Sequence, residues 1–187
     1  MMRSIAVVMT LVAALAGCSA GGAHPAGAVP ASSASAPADP IPPVRDPKDL
    51  AGMPPCALLT PAQLTVNRID QPGRPKDVGG APGCEWSDRA STREISMWAD
   101  TGPDVLRNNY AQRDTYPVFE ITQVSGHPAI RTKNLVNGTS CNFVVAAAEK
   151  QTLNVRFTSL RQGFEEPCGP ARTLAEAVIG NLPPRAG

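Results

Sequence analysis

The sequence is poor in the residues and motifs on which most enzymes and nucleic-acid-binding proteins depend. Aromatic residues make up 4% of the 187 residues, and there are two histidines. The chain has no G-x-S-x-G nucleophile motif and no P-loop with its Lys-Ser/Thr pair. With 17 Lys and Arg against 16 Asp and Glu, its charge is nearly balanced and favours neither nucleic acid nor an anionic surface. The composition therefore predicts no cofactor and no nucleic-acid partner.

Apolar runs long enough to cross a bilayer are also missing. The run at the amino terminus covers residues 5–14 and is interrupted by Thr10. A membrane-spanning helix needs about 20 apolar residues, so this run is too short. Behind the positive charge of Arg3 it is typical of the apolar region of a secretory signal peptide. We therefore predict a signal peptide over residues 1–17.

The residues that end this run predict a lipid anchor. Leu15-Ala16-Gly17-Cys18 resembles the lipobox of bacterial prolipoproteins, in which the cysteine sulfur receives a diacylglycerol and the chain is cut before the cysteine. The resemblance implies lipidation of Cys18, with acyl chains such as palmitate. Two acyl chains suffice for stable anchoring, whereas one gives only marginal attachment. The alternative is an ordinary signal peptide cut at a nearby small residue, with Cys18 incidental.

Composition divides the rest of the chain into a tether and a domain. Residues 18–55 are rich in Gly, Ala, Ser and Pro and have almost no large apolar side chains. Such a stretch buries too little surface to offset the entropy of ordering it, so we predict a disordered tether behind the lipidated cysteine. Residues 56–187 have the length of one ordinary domain.

Four cysteines lie in the predicted domain, at Cys56, Cys84, Cys141 and Cys168. An even number of cysteines in an exported protein predicts two disulfides. A zinc site would need close pairs such as C-x-x-C, whereas these spacings are 28, 57 and 27 residues, so we predict no metal site. Three pairings are possible. We favour Cys56–Cys84 and Cys141–Cys168, which close two loops of similar size.

Periodicity and turn residues predict an α+β domain with a single antiparallel sheet of about five or six strands and helices on one face. Thr60 and Gln63 form a capping box at the start of a helix, and an apolar stripe at helical spacing predicts a last helix over 170–182. Residues 71–83, rich in Gly and Pro, are predicted to be a loop, and Asn137-Gly138 a two-residue hairpin turn. Strands are predicted at 84–87, 94–99, 118–124, 129–133, 141–147 and 152–160, with a further helix that ends at 112.

Several short motifs together resemble one protein family. They are Cys84-Glu85-Trp86, Gly126-His127-Pro128-Ala129, Pro167-Cys168, Asn181-Leu182-Pro183 and the residues around Cys56. The series resembles a family of actinobacterial secreted lipoproteins of unknown function, with a four-cysteine domain, that includes the mycobacterial lipoproteins LprB and LprC. The resemblance covers nearly all of the predicted domain. It implies two disulfides within the domain and a location in the cell envelope, and it implies no activity.

His127 is the one histidine of the predicted domain and the candidate general base of a hydrolase. Gly126 and Pro128 on either side of it favour a structural role at a strand boundary instead. We therefore assign no catalytic residue.

The two tryptophans have different expected roles. Trp86 shares a strand face with Cys84, so we expect it to pack against a disulfide. Trp98, together with Tyr110 and Tyr116, could line a ligand-binding surface, although the sequence alone assigns no ligand-binding residue.

Together these features predict a membrane-anchored lipoprotein on the extracytoplasmic face of the cell membrane. The predicted domain is a non-enzymatic binding or interaction module of the cell envelope. Its partners are the membrane, through the N-terminal lipid, and an envelope ligand or protein that no motif identifies. Two alternatives remain open: an extracytoplasmic hydrolase using His127, and a structural accessory subunit of an envelope complex.

Overall fold

The structure, a computed structural model, describes residues 39–102, 104–161 and 165–186. The predicted signal peptide, Cys18 and the predicted tether up to Ala38 lie outside the described residues. The folded domain begins at Asp39.

Seven strands, three α-helices and two 3-10 helices, at Pro55–Ala57 and Arg113–Thr115, make up the regular structure of the described residues. The strands are Arg74–Val78 (β1), Ala81–Ser87 (β2), Arg93–Thr101 (β3), Val118–Val124 (β4), His127–Lys133 (β5), Ser140–Ala148 (β6) and Gln151–Ser159 (β7). The helices are Pro61–Val66 (α1), Val105–Ala111 (α2) and Cys168–Asn181 (α3). The predicted capping box is present: the Thr60 hydroxyl accepts from the backbone N–H of Gln63, whose side chain accepts from the N–H of Thr60.

The strands form one sheet in the order β1-β2-β3-β7-β6-β5-β4, in which every neighbouring pair is antiparallel. The α+β class and the antiparallel sheet are confirmed, but the described sheet has seven strands where the sequence predicted five or six. The chain builds β1 to β3 first and then β4 to β7. Because the last strand, β7, pairs with β3, it joins the two halves and lies at the centre of the sheet.

The additional strand is β1, which lies within the predicted loop 71–83. Pro75 lies in it, and β1 is the edge strand, so the missing N–H of proline leaves no ladder hydrogen bond unmade there. Gly79 and Gly80, both at positive φ, form the two-residue turn into β2. The Gly and Pro content that predicted a loop therefore belongs to an edge hairpin.

The predicted two-residue hairpin at Asn137-Gly138 is also wrong. β5 ends at Lys133 and β6 begins at Ser140, and neither Asn137 nor Gly138 has a positive φ. The Gly138 N–H instead donates to the carbonyl of Leu135 at 3.0 Å, which closes a turn inside a longer connection. Asn137 and Gly138 therefore take part in a turn of the β5–β6 connection, and this turn does not set the register of the two strands.

One face of the sheet carries the main hydrophobic core. Alternate residues of the central strands, among them Met97, Phe143 and Val155, are buried on this face. The predicted last helix, α3, packs there through an apolar stripe at helical spacing. Its members are Ala171, Leu174, Ala175, Val178 and, at the C-cap, Leu182.

The opposite face is partly apolar as well, because β6 reads Phe-Val-Val-Ala-Ala-Ala over residues 143–148 without alternation. Val144 and Ala146 form a second core cluster with Ile130, with Leu106 of α2 and with Ile41. A strand that is apolar on both faces has to be covered on both. Helix α2 therefore lies on the face opposite α3, and the prediction that all helices lie on one face is wrong.

Residues 39–50, which we call the N-terminal segment, pack against the domain. The Lys48 N–H donates to the Ala147 carbonyl at 2.8 Å, and the Leu50 N–H donates to the Gln151 side chain at 2.6 Å. Ile41 and Leu50 are both buried, the first in the second core cluster and the second in the main core. The predicted tether therefore extends too far: its composition is Pro-rich, but two isolated apolar side chains are enough to dock it.

We expect Ile41→Ala to lower the free energy of unfolding by about 2 kcal/mol, near the lower end of the range for buried isoleucines because the segment can partly collapse into the space. Urea unfolding of the full chain measures this change. Val136→Ala is the matched control, because Val136 is 63% exposed and its loss should change stability by less than about 0.5 kcal/mol. Equal effects of the two substitutions would contradict the docking of the N-terminal segment.

The disulfides join Cys56 to Cys84 and Cys141 to Cys168, the pairing favoured from the sequence. The first ties the turn before α1 to β2, and the second ties β6 to the start of α3. Each fixes a peripheral element to a strand of the main core.

Candidate functional site

The central strands present a row of polar side chains on the face opposite α3. Trp98 of β3 pairs with Asn154 of β7, and Arg156 of β7 pairs with Asn142 of β6. Because strand side chains alternate between faces, these four side chains share one face with Asp100. They line a cleft of about 490 Å³, flanked by α2, Tyr116 and the β1–β2 turn. We call it the Trp98 cleft.

A glycine makes room for Trp98 on the sheet. Gly83 of β2 is the cross-strand partner of Trp98. A Cβ atom at position 83 would come within 2.8 Å of the Met97 carbonyl oxygen and 3.2 Å of the Trp98 Cβ. Because Gly83 has no side chain, the space beside β2 stays free for Trp98.

Arg156 is held in the Trp98 cleft by two interactions. Its Nε–H donates to Asn142 Oδ1 at 2.8 Å, and its guanidinium carbon lies 5.6 Å from the centroid of the Trp98 ring. The second contact has the geometry of a cation–π interaction, which restrains the guanidinium without using its hydrogen-bond donors. The terminal nitrogens of Arg156 make no hydrogen bond with any described residue, so they remain available as donors.

Acceptors and donors alternate along the cleft. Asn154 Nδ2 donates to Asp100 Oδ2 at 2.8 Å, which directs the Asn154 carbonyl oxygen away from Asp100. Asn154 as a whole residue is 4% exposed. Within the described structure its side-chain oxygen, Oδ1, has no hydrogen-bond partner. On the wall, the Tyr116 hydroxyl donates to Asn109 Oδ1 at 3.1 Å. Because Asn154 lines the cleft and its side-chain oxygen makes no hydrogen bond within the described structure, this oxygen can accept a hydrogen bond from a polar ligand.

A second cleft, of about 550 Å³, lies along the N-terminal segment. Its lining is more apolar and includes Ile41, Pro42, Pro43 and Leu106. At its edge the Arg107 guanidinium donates to Asp39, with the Arg107 Nε at 3.0 Å from Asp39 Oδ2, and this bond holds the pKa of the Asp39 carboxyl below its ordinary value. The apolar positions here are already occupied by the chain's own segment, which makes this cleft the weaker candidate.

His127 is buried at the start of β5, and its Nδ1 is hydrogen-bonded to the Ala146 carbonyl at 2.9 Å. The described residues place no serine, threonine or cysteine within hydrogen-bonding distance of the other ring nitrogen. Nucleophilic catalysis requires that contact between base and nucleophile. The hydrogen bond from His127 to Ala146 fastens the β4–β5 hairpin to β6.

The aromatic residues named from the sequence separate into two groups. Trp98 and Tyr116 line the Trp98 cleft together. Tyr110 does not: it packs edge-on against Phe119, with ring centroids 6.2 Å apart, and Arg113 lies over its ring. Trp86 is buried in the main core with Cys84, as expected.

Sequence reasoning missed Asn142, Asn154 and Arg156. The signal that could have found them is the alternation that identified the core. Each lies between two buried residues of a predicted strand, as Asn154 does between Leu153 and Val155, so each must project from the opposite face. That they meet in one cleft could be predicted only with the strand order, because β7 lies between β3 and β6.

In residues 39–102, 104–161 and 165–186, no group of three or more His, Cys, Asp or Glu side chains is placed to hold a metal ion. Over the same residues, no helix is both long enough and apolar enough to cross a membrane.

The fold and its cleft define a disulfide-linked α+β domain with a polar cleft on the sheet face opposite α3. The chain belongs to the family described as protein of unknown function DUF3558, which it matches over residues 13–181. No curated protein matches the chain significantly, and no solved structure does.

Proposed function

We propose that the chain is a membrane-anchored extracytoplasmic lipoprotein of actinobacterial origin, akin to the mycobacterial lipoproteins LprB and LprC, whose domain is a non-enzymatic binding module of the cell envelope. The support for the anchor is the segment Leu15-Ala16-Gly17-Cys18 directly behind an apolar run of signal-peptide length. Two cysteine pairs in disulfides accord with an oxidising compartment outside the cytoplasm.

One observation carries the binding role: the Trp98 cleft. Ligand sites are concave and combine aromatic surface with a few precisely placed polar groups. In this cleft Trp98 and Tyr116 supply the aromatic surface, and Arg156, Asn142 and Asn154 supply hydrogen-bonding groups on adjacent rigid strands. Strands hold such groups more precisely than loops do.

The two alternative functions have less support. For a hydrolase, no nucleophile stands beside His127 among the described residues, and nothing else in the cleft forms a base–nucleophile pair. For a structural accessory subunit, no feature of the described residues specifically points to a partner protein. Recovery of a stoichiometric partner protein from detergent extracts would favour the accessory subunit over the binding module.

The anchor is tested by fractionation of the full chain in an actinobacterial host. We expect the wild type in the membrane fraction, and Cys18→Ser either unprocessed or released, because serine cannot form the thioether. Ser19→Ala is the matched control: it alters the next residue, leaves the cysteine in place and should remain in the membrane fraction. Equal distribution of wild type and Cys18→Ser would refute the anchor.

A further inference from the structure

We infer that the ligand of the Trp98 cleft is an uncharged glycan chain, an oligosaccharide or a glycan strand of the envelope. This inference rests on the proposed binding function and names the chemistry of its ligand. Four properties of the cleft carry it: its hydrogen-bonding groups, its aromatic surface, its charge and its length.

The hydrogen-bonding groups match hydroxyls. A hydroxyl both donates and accepts, so a site for a polyhydroxyl ligand needs donors and acceptors side by side. Because Asn142 Oδ1 accepts from Arg156, the Asn142 amide nitrogen is left as a donor, and the terminal nitrogens of Arg156 are further donors. Because Asn154 Nδ2 donates to Asp100, the Asn154 carbonyl oxygen is left as an acceptor. The two internal bonds thus fix which end of each amide faces the cleft.

The aromatic surface matches the apolar face of a sugar ring. Trp and Tyr present a rigid apolar surface beside a polar group, and this combination suits ligands that are apolar on one side and polar at the edge. Trp98 and Tyr116 lie on different walls of the same cleft, one on β3 and the other after α2. Arg156 lies over one face of the indole, so a sugar ring would stack on the other face, with its hydroxyls at the ring edge.

The charge of the cleft argues against an anionic ligand. Asp100 and Arg156 are the two charged side chains that line it in the described structure, and their formal charges cancel. A phosphate or carboxylate bound to Arg156 would find no second cation in the lining. Asp100 in the same lining would also repel an anion.

The length of the cleft argues against a single amino acid. Asp100 pairs with Thr152 and Arg156 with Ser96, so the two charged residues lie four positions apart along the strand direction. At a rise of about 3.3 Å per residue this is roughly 13 Å between the two positions. The ammonium and carboxylate of one amino acid are far closer than that, whereas a chain of a few sugar rings can extend from one position to the other.

The test is isothermal titration calorimetry on the full chain, purified in a detergent without a sugar head group so that the detergent cannot compete. The probes are maltotriose, mannotriose and chitotriose, with trialanine and inorganic phosphate as probes of other classes. We expect at least one trisaccharide to bind saturably. We also expect Trp98→Ala to weaken that binding tenfold or more.

Two further variants make this result specific. Arg156→Met keeps an unbranched apolar stem and removes the guanidinium donors, so it should also weaken binding, and it serves as the test if Trp98→Ala fails to fold. Leu135→Ala is the matched control, because Leu135 is 68% exposed and does not line the cleft, and its affinity should equal that of the wild type.

The titrations test the glycan ligand separately from the proposed binding function. Binding of trialanine or phosphate that depends on Trp98, with no trisaccharide bound, overturns the glycan inference and leaves a binding module. Trisaccharide binding that neither Trp98→Ala nor Arg156→Met weakens overturns the assignment of the site. If no trisaccharide binds, the glycan inference is overturned, whereas the anchor is judged by fractionation alone.

Discussion

Replacing Cys141 and Cys168 by alanine is expected to lower the free energy of unfolding by about 3.5 kcal/mol, the chain-entropy value for a closed loop of this size. The disulfide closes a loop with a sequence separation of 27 residues and holds the start of α3 against β6. Both sulfurs lie in the main core, so the alanine variant also loses the covalent link between β6 and the helix that covers this core. Urea unfolding under non-reducing conditions measures the change.

The other disulfide provides the matched comparison. Cys56 and Cys84 are separated by 28 residues, and the two loops do not overlap in sequence, so each pair should cost nearly the same and the two losses should add. Removing both would then cost about 7 kcal/mol, within the range of the whole stability of an ordinary domain. A loss below 1 kcal/mol for either pair would show that its disulfide does not constrain the unfolded chain.

The second large effect is expected at Trp86. Trp86→Ala should lower the free energy of unfolding by about 4 kcal/mol, because the indole is 1% exposed and its removal leaves a large cavity in the main core. The loop before β1 packs directly on this ring: a Cβ atom at Gly73 would overlap the indole nitrogen and come within 2.7 Å of Cys84 Sγ. The space vacated by Trp86 therefore borders the disulfide, which restricts how far the site can collapse.

Trp98→Ala is the control for this prediction, since Trp98 is only half-buried and lies on the opposite face of the sheet. We expect it to cost less than half as much stability as Trp86→Ala while it removes ligand binding. Chemical unfolding of both variants, with the binding titration of the second, separates the two roles. Equal losses of stability would contradict the assignment of one tryptophan to the core and the other to a site.

The sequence predicted the elements whose periodicity is unambiguous. The stripe of α3 and the apolar alternation of β7 locate both elements within about two residues, and the cysteine spacing favoured the observed pairing. Each of these signals is local, or depends only on the number and separation of cysteines.

Two of the misses, strand β1 and the docking of the N-terminal segment, have one physical cause: each depended on what lies beside the segment in space. Pro75 is compatible with a strand because β1 has a neighbour on one side only. Ile41 docks because Val144 and Ala146 leave an apolar patch beside α2. The same limit applies to the Trp98 cleft, since Asn142, Asn154 and Trp98 are far apart in sequence and meet only through the order of β3, β7 and β6.

The central claim, an anchored binding module, is tested most directly by intact mass spectrometry of the full chain extracted from membranes of an actinobacterial host. The account predicts a chain that begins at Cys18, carries the mass of a diacylglycerol with or without a further acyl group, and lacks the hydrogens removed by two disulfides. An unmodified chain, or one cut at a different residue and recovered from the medium, would contradict the account and identify a freely secreted protein.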